Sequence, residues 1–408
     1  MLNVIVLAAA VAGSGLGPLK DSGTAFAREA LQPFVDSGEL SGAVSVFSDA
    51  DRQETVCVGY ADVEKKRSIT VDDIFRQFSQ TKGFCGVTVA MLIEEGKIGL
   101  DDPVSKYLPT FGEVWVGSGT EDPAVRTLTR AKTPITVRMC MNHTSGLPFD
   151  FADREAMGGA NHRMPIRSVA VMASKLPLLF EPGTEVQYSN LGIDVGAAIV
   201  EAVTGKRWEV FLKERVLDPL GMTESTFFPT DAQVERQIGI YECREKAAAV
   251  RVPFVNFLKP PYADDHTFAA PASGLWPTTR DQLKFYRMLM NLGLGDNGVR
   301  VLKEETVKNL LAVSTRPKGK TASGKDFGGY SLGLSAPVTD VEDAWFGHGG
   351  ALGSNCAVNW HRRRLWMWNV QHTGGPRPWE AAHKRAMESF FRSCQDTSGV
   401  DAYTNRQK

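Results

Sequence analysis

Ser79 and Lys82 bracket the tetrapeptide Ser79-Gln80-Thr81-Lys82. On a helix, a spacing of three stacks the two side chains one turn apart on the same face. An unaided serine hydroxyl is a weak nucleophile, and a close, partly desolvated amine can take or relay its proton. The segment that follows, Gly83-Phe84-Cys85-Gly86-Val87-Thr88-Val89-Ala90-Met91-Leu92-Ile93, is apolar almost all round. A helix apolar on every side is buried. The serine therefore stands near the start of a core helix, close to free backbone N–H groups and the positive end of the dipole.

Two further segments carry side chains of complementary chemistry. Glu181-Pro182-Gly183-Thr184-Glu185-Val186-Gln187-Tyr188-Ser189-Asn190 reads as a loop delivering Tyr-x-Asn into a helix that runs from Ile193 to Thr204 and stops at Gly205. A phenol beside a lysine loses its proton more easily than a free one, so Tyr188 is a candidate base. Asn190 offers both a donor and an acceptor, which suits it to hold a substrate amide or the lysine. Taken alone, the same residues also fit a buried tyrosine and an N-cap asparagine. The other segment, Trp345-Phe346-Gly347-His348-Gly349-Gly350-Ala351-Leu352-Gly353-Ser354-Asn355, is rich in small residues that let a substrate approach backbone closely. A strand edge here could supply half of an oxyanion hole, the Ser79 N–H being the other half. His348 could serve as an electrophile or proton carrier.

Ser-x-x-Lys, then Tyr-x-Asn about a hundred residues on, then His-Gly-Gly near the C-terminus: this order resembles the serine β-lactamase and penicillin-binding protein superfamily. The likeness is to the class C-like branch, which includes class C β-lactamases, D-Ala-D-Ala carboxypeptidases, D-aminopeptidases and family VIII carboxylesterases. It extends to Glu94-Glu95-Gly96-Lys97-Ile98-Gly99-Leu100-Asp101-Asp102-Pro103-Val104, to Asn142-His143-Thr144-Ser145-Gly146-Leu147-Pro148 and to Leu217-Asp218-Pro219-Leu220-Gly221-Met222, so nearly the whole chain from Phe26 to Phe390 takes part. The resemblance implies an α/β (α+β) fold. Helices would flank an antiparallel sheet built from both chain ends, and a mostly helical second lobe would face it across the catalytic cleft. It also implies a serine acyl-enzyme mechanism in which Ser79 attacks a carbonyl. Lys82 and Tyr188, as a coupled pair, would move the proton. The backbone N–H groups of Ser79 and Ala351 would hold the oxyanion, with Gly349 and Gly350 in the same wall, and Asn190 and His348 would orient the substrate. No cofactor or metal enters this chemistry.

One departure bears on substrate. Class C β-lactamases carry Lys-Thr-Gly where this chain has His348-Gly349-Gly350. A permanent cation that would grip a β-lactam carboxylate is replaced by an imidazole largely neutral at pH 7. Lys320-Thr321-Ala322 lacks the glycine and is set aside. The expected substrate is a small-molecule ester, peptide or β-lactam, with a carboxylesterase-type enzyme favoured. A D-Ala-D-Ala carboxypeptidase, a D-aminopeptidase, a weak β-lactamase and a non-catalytic peptidoglycan-binding or sensor protein stay open.

Other chemistries are excluded by their missing patterns. Gly319-Lys320-Thr321 ends like a P-loop, but Ser314 holds the first glycine position. There is no H-E-x-x-H, the seven histidines have no metal-ligand spacing, and no dinucleotide-binding fingerprint follows a strand. His143 reads as structural. Asn142-His143-Thr144 is formally a glycosylation sequon.

With 46 Lys and Arg against 47 Asp and Glu, the net charge of −1 argues against a nucleic-acid surface. At 408 residues two lobes are expected: 22–80 with 289–395 as the sheet lobe, and 81–288 as the helical one. Leu2 to Ala12 resembles the apolar core and cleavage site of an export signal without its basic start, so 1–21 is a signal or a disordered tail. The protein is periplasmic or secreted in the first case and cytoplasmic in the second. No segment is long enough to span a membrane, and oligomeric state is open. Six cysteines are widely spaced, with a free thiol expected at Cys85. Strands are expected over Gly42–Asp49, Gln53–Gly59, Phe327–Leu334, Asp343–Phe346, Asn355–His361 and Leu365–His372. Helices are expected over Ser22–Asp36 and Ala381–Cys394. His361-Arg362-Arg363-Arg364 reads as a hairpin turn, and 396–408 as a polar tail.

Overall fold

A computed structural model describes residues 25–49, 52–118, 127–151, 164–252, 268–312, 314, 328–338 and 341–394. The possible leader, the Lys320-Thr321-Ala322 segment and the polar tail lie outside the described residues. In chain order the strands are β1 (Gly42–Ser48), β2 (Gln53–Asp62), β3 (Arg67–Ser68), β4 (Trp115–Ser118), β5 (Thr127–Arg130), β6 (Tyr241–Arg244), β7 (Ala247–Arg251), β8 (Phe346–Gly349), β9 (Asn355–Asn359), β10 (Arg364–Asn369) and β11 (His372–Thr373). The helices are α1 (Ala25–Asp36), α2 (Thr81–Glu94), α3 (Val137–Met141), α4 (Ile166–Ala173), α5 (Asn190–Thr204), α6 (Trp208–Leu212), α7 (Asp231–Glu235), α8 (Thr279–Met290), α9 (Glu304–Thr306) and α10 (Trp379–Ser393).

Both chain ends meet in one antiparallel six-stranded sheet of order β3-β2-β1-β10-β9-β8. The junction is the β1–β10 pairing, from Val44 opposite Asn369 to Ser48 opposite Leu365. Side chains alternate across a strand. Ala43 and Phe47 of β1, with Trp366 and Trp368 of β10, therefore face a core that also contains Ala27 and Leu31 of α1 and Trp379, Ala386 and Phe390 of α10. Val44 and Val46, with Leu365 and Met367, face the larger core with Phe84 of α2 and Phe285 and Leu289 of α8. Covered on both faces, β1 is buried at every residue.

The structure corrects several expected elements. The mostly helical segment between the sheet strands also holds two hairpins that were not expected, β4–β5 and β6–β7, and β6 pairs in parallel with β11. The expected Asp343–Phe346 strand is displaced to Phe346–Gly349, because pairing with β9 fixes its register, His348 opposite Cys356. Gly328–Leu334 forms no strand. It is a loop with a single bridge from Tyr330 to Ser335, and Ser335 in turn bridges Gly347 of β8. That loop lies directly on α2, where a Cβ at Gly86 would come 1.8 Å from the Leu332 carbonyl oxygen. Only glycine permits that approach. All six cysteines are free thiols, Cys85 among the buried ones. No described helix is long and apolar enough to cross a membrane.

Candidate active site

Phe78–Gln80 forms a 3-10 turn that runs into α2, so Ser79 stands at the mouth of a helix whose body is buried. Phe78, just before it, has φ 49°. A left-handed backbone costs a bulky residue of order 1–3 kcal/mol and marks a turn held by its surroundings. Phe78 packs with Ile240 and Leu352, and the Arg76 guanidinium lies 5.0 Å from its ring centroid.

One turn on, Lys82 is fully buried. Its Nζ contacts three oxygens: Asn190 Oδ1 at 2.8 Å, the Ala272 carbonyl at 2.9 Å and Ser79 Oγ at 3.2 Å. The first two can only accept, so they fix two N–H bonds. The remaining tetrahedral direction points at the serine hydroxyl. It is a lone pair in the amine and a donor in the ammonium, so proton exchange with Ser79 is built into the geometry.

The loop delivers Tyr188 and Asn190 into α5, which begins at Asn190 and not at the expected Ile193; its N-cap is Ser189, whose Oγ accepts from Gly192 N–H at 3.0 Å, and not Asn190. Lys82 Nζ lies 4.7 Å from the Tyr188 ring centroid. The Asn190 amide N–H donates to Asp150 Oδ2 at 3.3 Å.

His348 closes the opposite wall from the end of β8. Its Nδ1 lies 2.6 Å from the Gly349 carbonyl, which only accepts, so Nδ1 carries the hydrogen and Nε2 the lone pair. Nε2 faces Tyr330 Oη at 2.7 Å and Tyr188 Oη at 3.4 Å. Burial, with the Lys82 charge adding to it, pushes His348 down to about 3, and the Gly349 carbonyl only partly opposes this. The ring is therefore a neutral acceptor at working pH.

The glycines play backbone roles. Gly349 supplies the carbonyl that orients His348. Gly350 N–H is committed to the Ser354 carbonyl at 2.6 Å, and a Cβ on Gly350 would come 2.6 Å from the Gln77 carbonyl, so this strand end lies against the segment leading into Ser79. Ala351 is exposed in the turn that follows.

Two residues outside the expected set line the same cluster. Tyr330 is 2% exposed and reaches His348 from the loop over α2. Nothing local in the sequence marks it, because long-range packing places it there. His143, read as structural, is fully buried between the rings of Tyr188 and Tyr330, each 4.4 Å away, with φ 68°. Its Nδ1 accepts from Ser189 N–H at 3.1 Å, and burial holds its ring well below the usual histidine range. It is a structural residue, but one that forms the wall behind Tyr188. The sequon asparagine, Asn142, is 4% exposed and accepts from Thr144 Oγ1 at 2.6 Å, closed to glycosylation in the folded chain.

The α/β-hydrolase nucleophile elbow is expected to be absent, with no G-x-S-x-G in the chain, but that pattern does occur once. Gly329-Tyr330-Ser331-Leu332-Gly333 fits G-x-S-x-G, the nucleophile elbow of α/β-hydrolases. The structure rules that role out. Ser331 is 3% exposed, its Oγ donates to the Leu311 carbonyl at 2.7 Å, and no strand-to-helix elbow surrounds it.

A sheet assembled from both ends of the chain and covered by helices on each face is the β-lactamase/transpeptidase fold of serine hydrolases. The chain belongs to the Beta-lactamase family, whose model matches residues 27–388. Among curated proteins it is 31% identical over 333 residues to Protein Rv1367c of Mycobacterium tuberculosis, covering 78% of this chain and 81% of that one. Among solved structures it is similar to simvastatin synthase LovD of Aspergillus terreus in its LovD6 mutant form. That match has a TM-score of 0.72 at 20% identity and covers 95% of this chain and 99% of that one. It is also similar to EstCE1, a hydrolase with promiscuous acyltransferase activity, with a TM-score of 0.67 at 20% identity over 88% and 97%.

Proposed function

We propose that the protein is a carboxylesterase-type serine hydrolase that works through an acyl-enzyme on small neutral esters. The observation that carries the proposal is the Lys82 ammonium or amine, pinned by Asn190 and Ala272 with its third direction on Ser79 Oγ at 3.2 Å. Ser79 attacks the ester carbonyl as its proton passes into the Lys82–Tyr188 pair. The Ser79 N–H, in the first turn where helical N–H groups have no intrahelical partner, and the Ala351 N–H hold the oxyanion. The pair returns the proton to the leaving alcohol, and water then resolves the acyl-enzyme by the reverse path. Asn190 holds Lys82 in place, and His348 forms the wall beside Tyr188.

Substrate class follows from the third motif. The buried neutral imidazole of His348 supplies no cation for a carboxylate, so a neutral ester loses nothing there and a β-lactam loses its clamp. The test compares kcat/KM for short p-nitrophenyl esters, a chromogenic cephalosporin and a D-alanyl dipeptide. Esters are expected to lead. A leading D-alanyl peptide or cephalosporin overturns the substrate assignment, and a stable acyl adduct with no turnover on any of them favours a binding protein. An acyl-enzyme that water resolves can also be resolved by an alcohol. The likeness to EstCE1 supports including an alcohol acceptor in the same assay.

A further inference from the structure

The geometry points to Tyr330 as a positioning residue that occupies His348 Nε2 and thereby leaves the Tyr188 hydroxyl for the chemistry at Ser79. The inference rests on the reading of Tyr188 as part of the acid–base pair. The reasoning is one of stoichiometry. With Nδ1–H committed to the Gly349 carbonyl at 2.6 Å, His348 has one lone pair left, on Nε2. Two phenol hydroxyls face it. Tyr330 Oη at 2.7 Å makes a full hydrogen bond, and Tyr188 Oη at 3.4 Å is beyond a good one. One lone pair accepts one strong O–H, and Tyr330 has it.

Tyr330 is suited to hold that bond at every working pH. Burial pushes its phenol well above the usual range, with the neighbouring Tyr188 and Cys85 adding to this, so it stays a donor. Its ring is fixed edge-on to His348, with centroids 5.7 Å apart at 84°, and tilted on His143. The loop that carries it is pinned through Gly86 against α2, the helix that carries Lys82. The groups facing Tyr188 are Lys82 over its ring, His143 against it, Tyr330 edge-on and His348 at its hydroxyl, with Asp150 reached through Asn190. Of these, His143 and His348 are neutral and His143 Nδ1 is taken by Ser189 N–H, so among the described residues His348 Nε2 is the imidazole acceptor beside the Tyr188 hydroxyl, and Tyr330 fills it.

Removing the Tyr330 hydroxyl frees Nε2 for Tyr188. A hydrogen bond to the neutral phenol holds its proton and draws the hydroxyl away from Ser79. The experiment is the pH profile of kcat and kcat/KM for a short p-nitrophenyl ester on the wild type, Tyr330→Phe and Tyr188→Phe. In Tyr330→Phe, kcat is expected to fall about ten-fold with KM little changed, and the acid limb of kcat/KM to move up by roughly one pH unit, the worth of one hydrogen bond. A rate loss without a shift of the limb reduces Tyr330 to packing and overturns the inference. Tyr188→Phe separates the two readings: if it keeps both rate and limb, the acid–base role of Tyr188 fails first. A second measurement needs no folded Tyr330 variant. In wild-type enzyme labelled with 15N-histidine, the His348 signal, assigned by its loss in His348→Gln, is expected to show the Nδ1–H tautomer from about pH 5 to about pH 9. An Nε2–H tautomer, or a ring that protonates within that range, contradicts the inference directly.

Discussion

Among the described residues, two clusters set a serine hydroxyl against an amine or imidazole nitrogen. At Ser79, a half-buried residue, the hydroxyl lies 3.2 Å from Lys82 Nζ. At Ser41, a hydroxyl 3% exposed lies 2.9 Å from His372 Nε2, and Cys243 Sγ is 3.6 Å from the other ring nitrogen. By residue type the second cluster is the more familiar one. Its chemistry is closed, however. The Ser41 backbone N–H also donates to Nε2 at 3.2 Å, so the lone pair is spent on structure, and burial, with Arg377 adding to it, holds His372 down at about 3. Cys243 is likewise pushed up by burial. The Ser41 group ties the start of β1 to β11 and β6. The proposed nucleophile needs an accessible hydroxyl and a base with one direction left for it, and of these two serines Ser79 has both.

The largest expected effect is on the nucleophile. Ser79→Ala should abolish ester hydrolysis and labelling by a serine-reactive phosphonate, while Ser41→Ala keeps both. Labelling that persists in Ser79→Ala would erase the distinction between the clusters. Next come Lys82→Ala and Tyr188→Phe, each expected to lower kcat by on the order of 10²–10⁴. The double variant should lose far less than the product, because residues acting as one unit are not additive. Full multiplication, measured in the same assay, would mean two independent groups. His348→Lys should then raise the cephalosporin-to-ester ratio of kcat/KM by on the order of ten-fold, since a charged hydrogen bond is restored without the threonine of Lys-Thr-Gly. An unmoved ratio removes His348 from substrate selection.

How much of this was legible in the sequence follows from how locally each feature is encoded. That Ser79, Lys82, Tyr188 and Asn190 come together was readable because each motif lies within one turn or loop and announces its own helix. β1, β2, α1 and α10 were readable from alternation or amphipathic spacing. The register of β8 was not. Gly347-His348-Gly349 has little strand preference, and only the ladder to β9 and the bridge to Ser335 make it a strand. β6 alternates buried Tyr241 and Cys243 with exposed Glu242 and Arg244, but four residues carry too short a period to stand out. Tyr330 and the role of His143 depend on side-chain contacts between separate segments, Tyr330 with His348, His143 with Tyr188 and the two with each other, which no local pattern encodes.

The remaining effects concern stability. His348, His372 and His383 are buried and held at about 3, against about 6.5 in an unfolded chain. Between those values the unfolded chain binds more protons than the folded one, so stability falls as pH falls through that window. Each ring contributes a slope of up to about 1.4 kcal/mol per pH unit. His383 stacks on Trp368 and Phe47 away from the cleft. His383→Phe should therefore flatten the acid slope by about one such increment in denaturant unfolding, and an unchanged slope would show that His383 is not held neutral. Ser41→Ala should cost about 1–3 kcal/mol, the usual penalty for leaving a buried partner under-satisfied, with kcat unchanged. A fall in kcat instead would bring the closed cluster into the chemistry.

The most direct measurement is rapid-quench intact mass on the wild-type enzyme turning over a slow p-nitrophenyl ester, followed by peptide mapping. The expected result is one acyl group on the peptide containing Ser79, decaying at the steady-state rate. An acyl group on Ser41 or Ser331, or turnover with no adduct at all, contradicts the assignment of Ser79 as the acylated nucleophile.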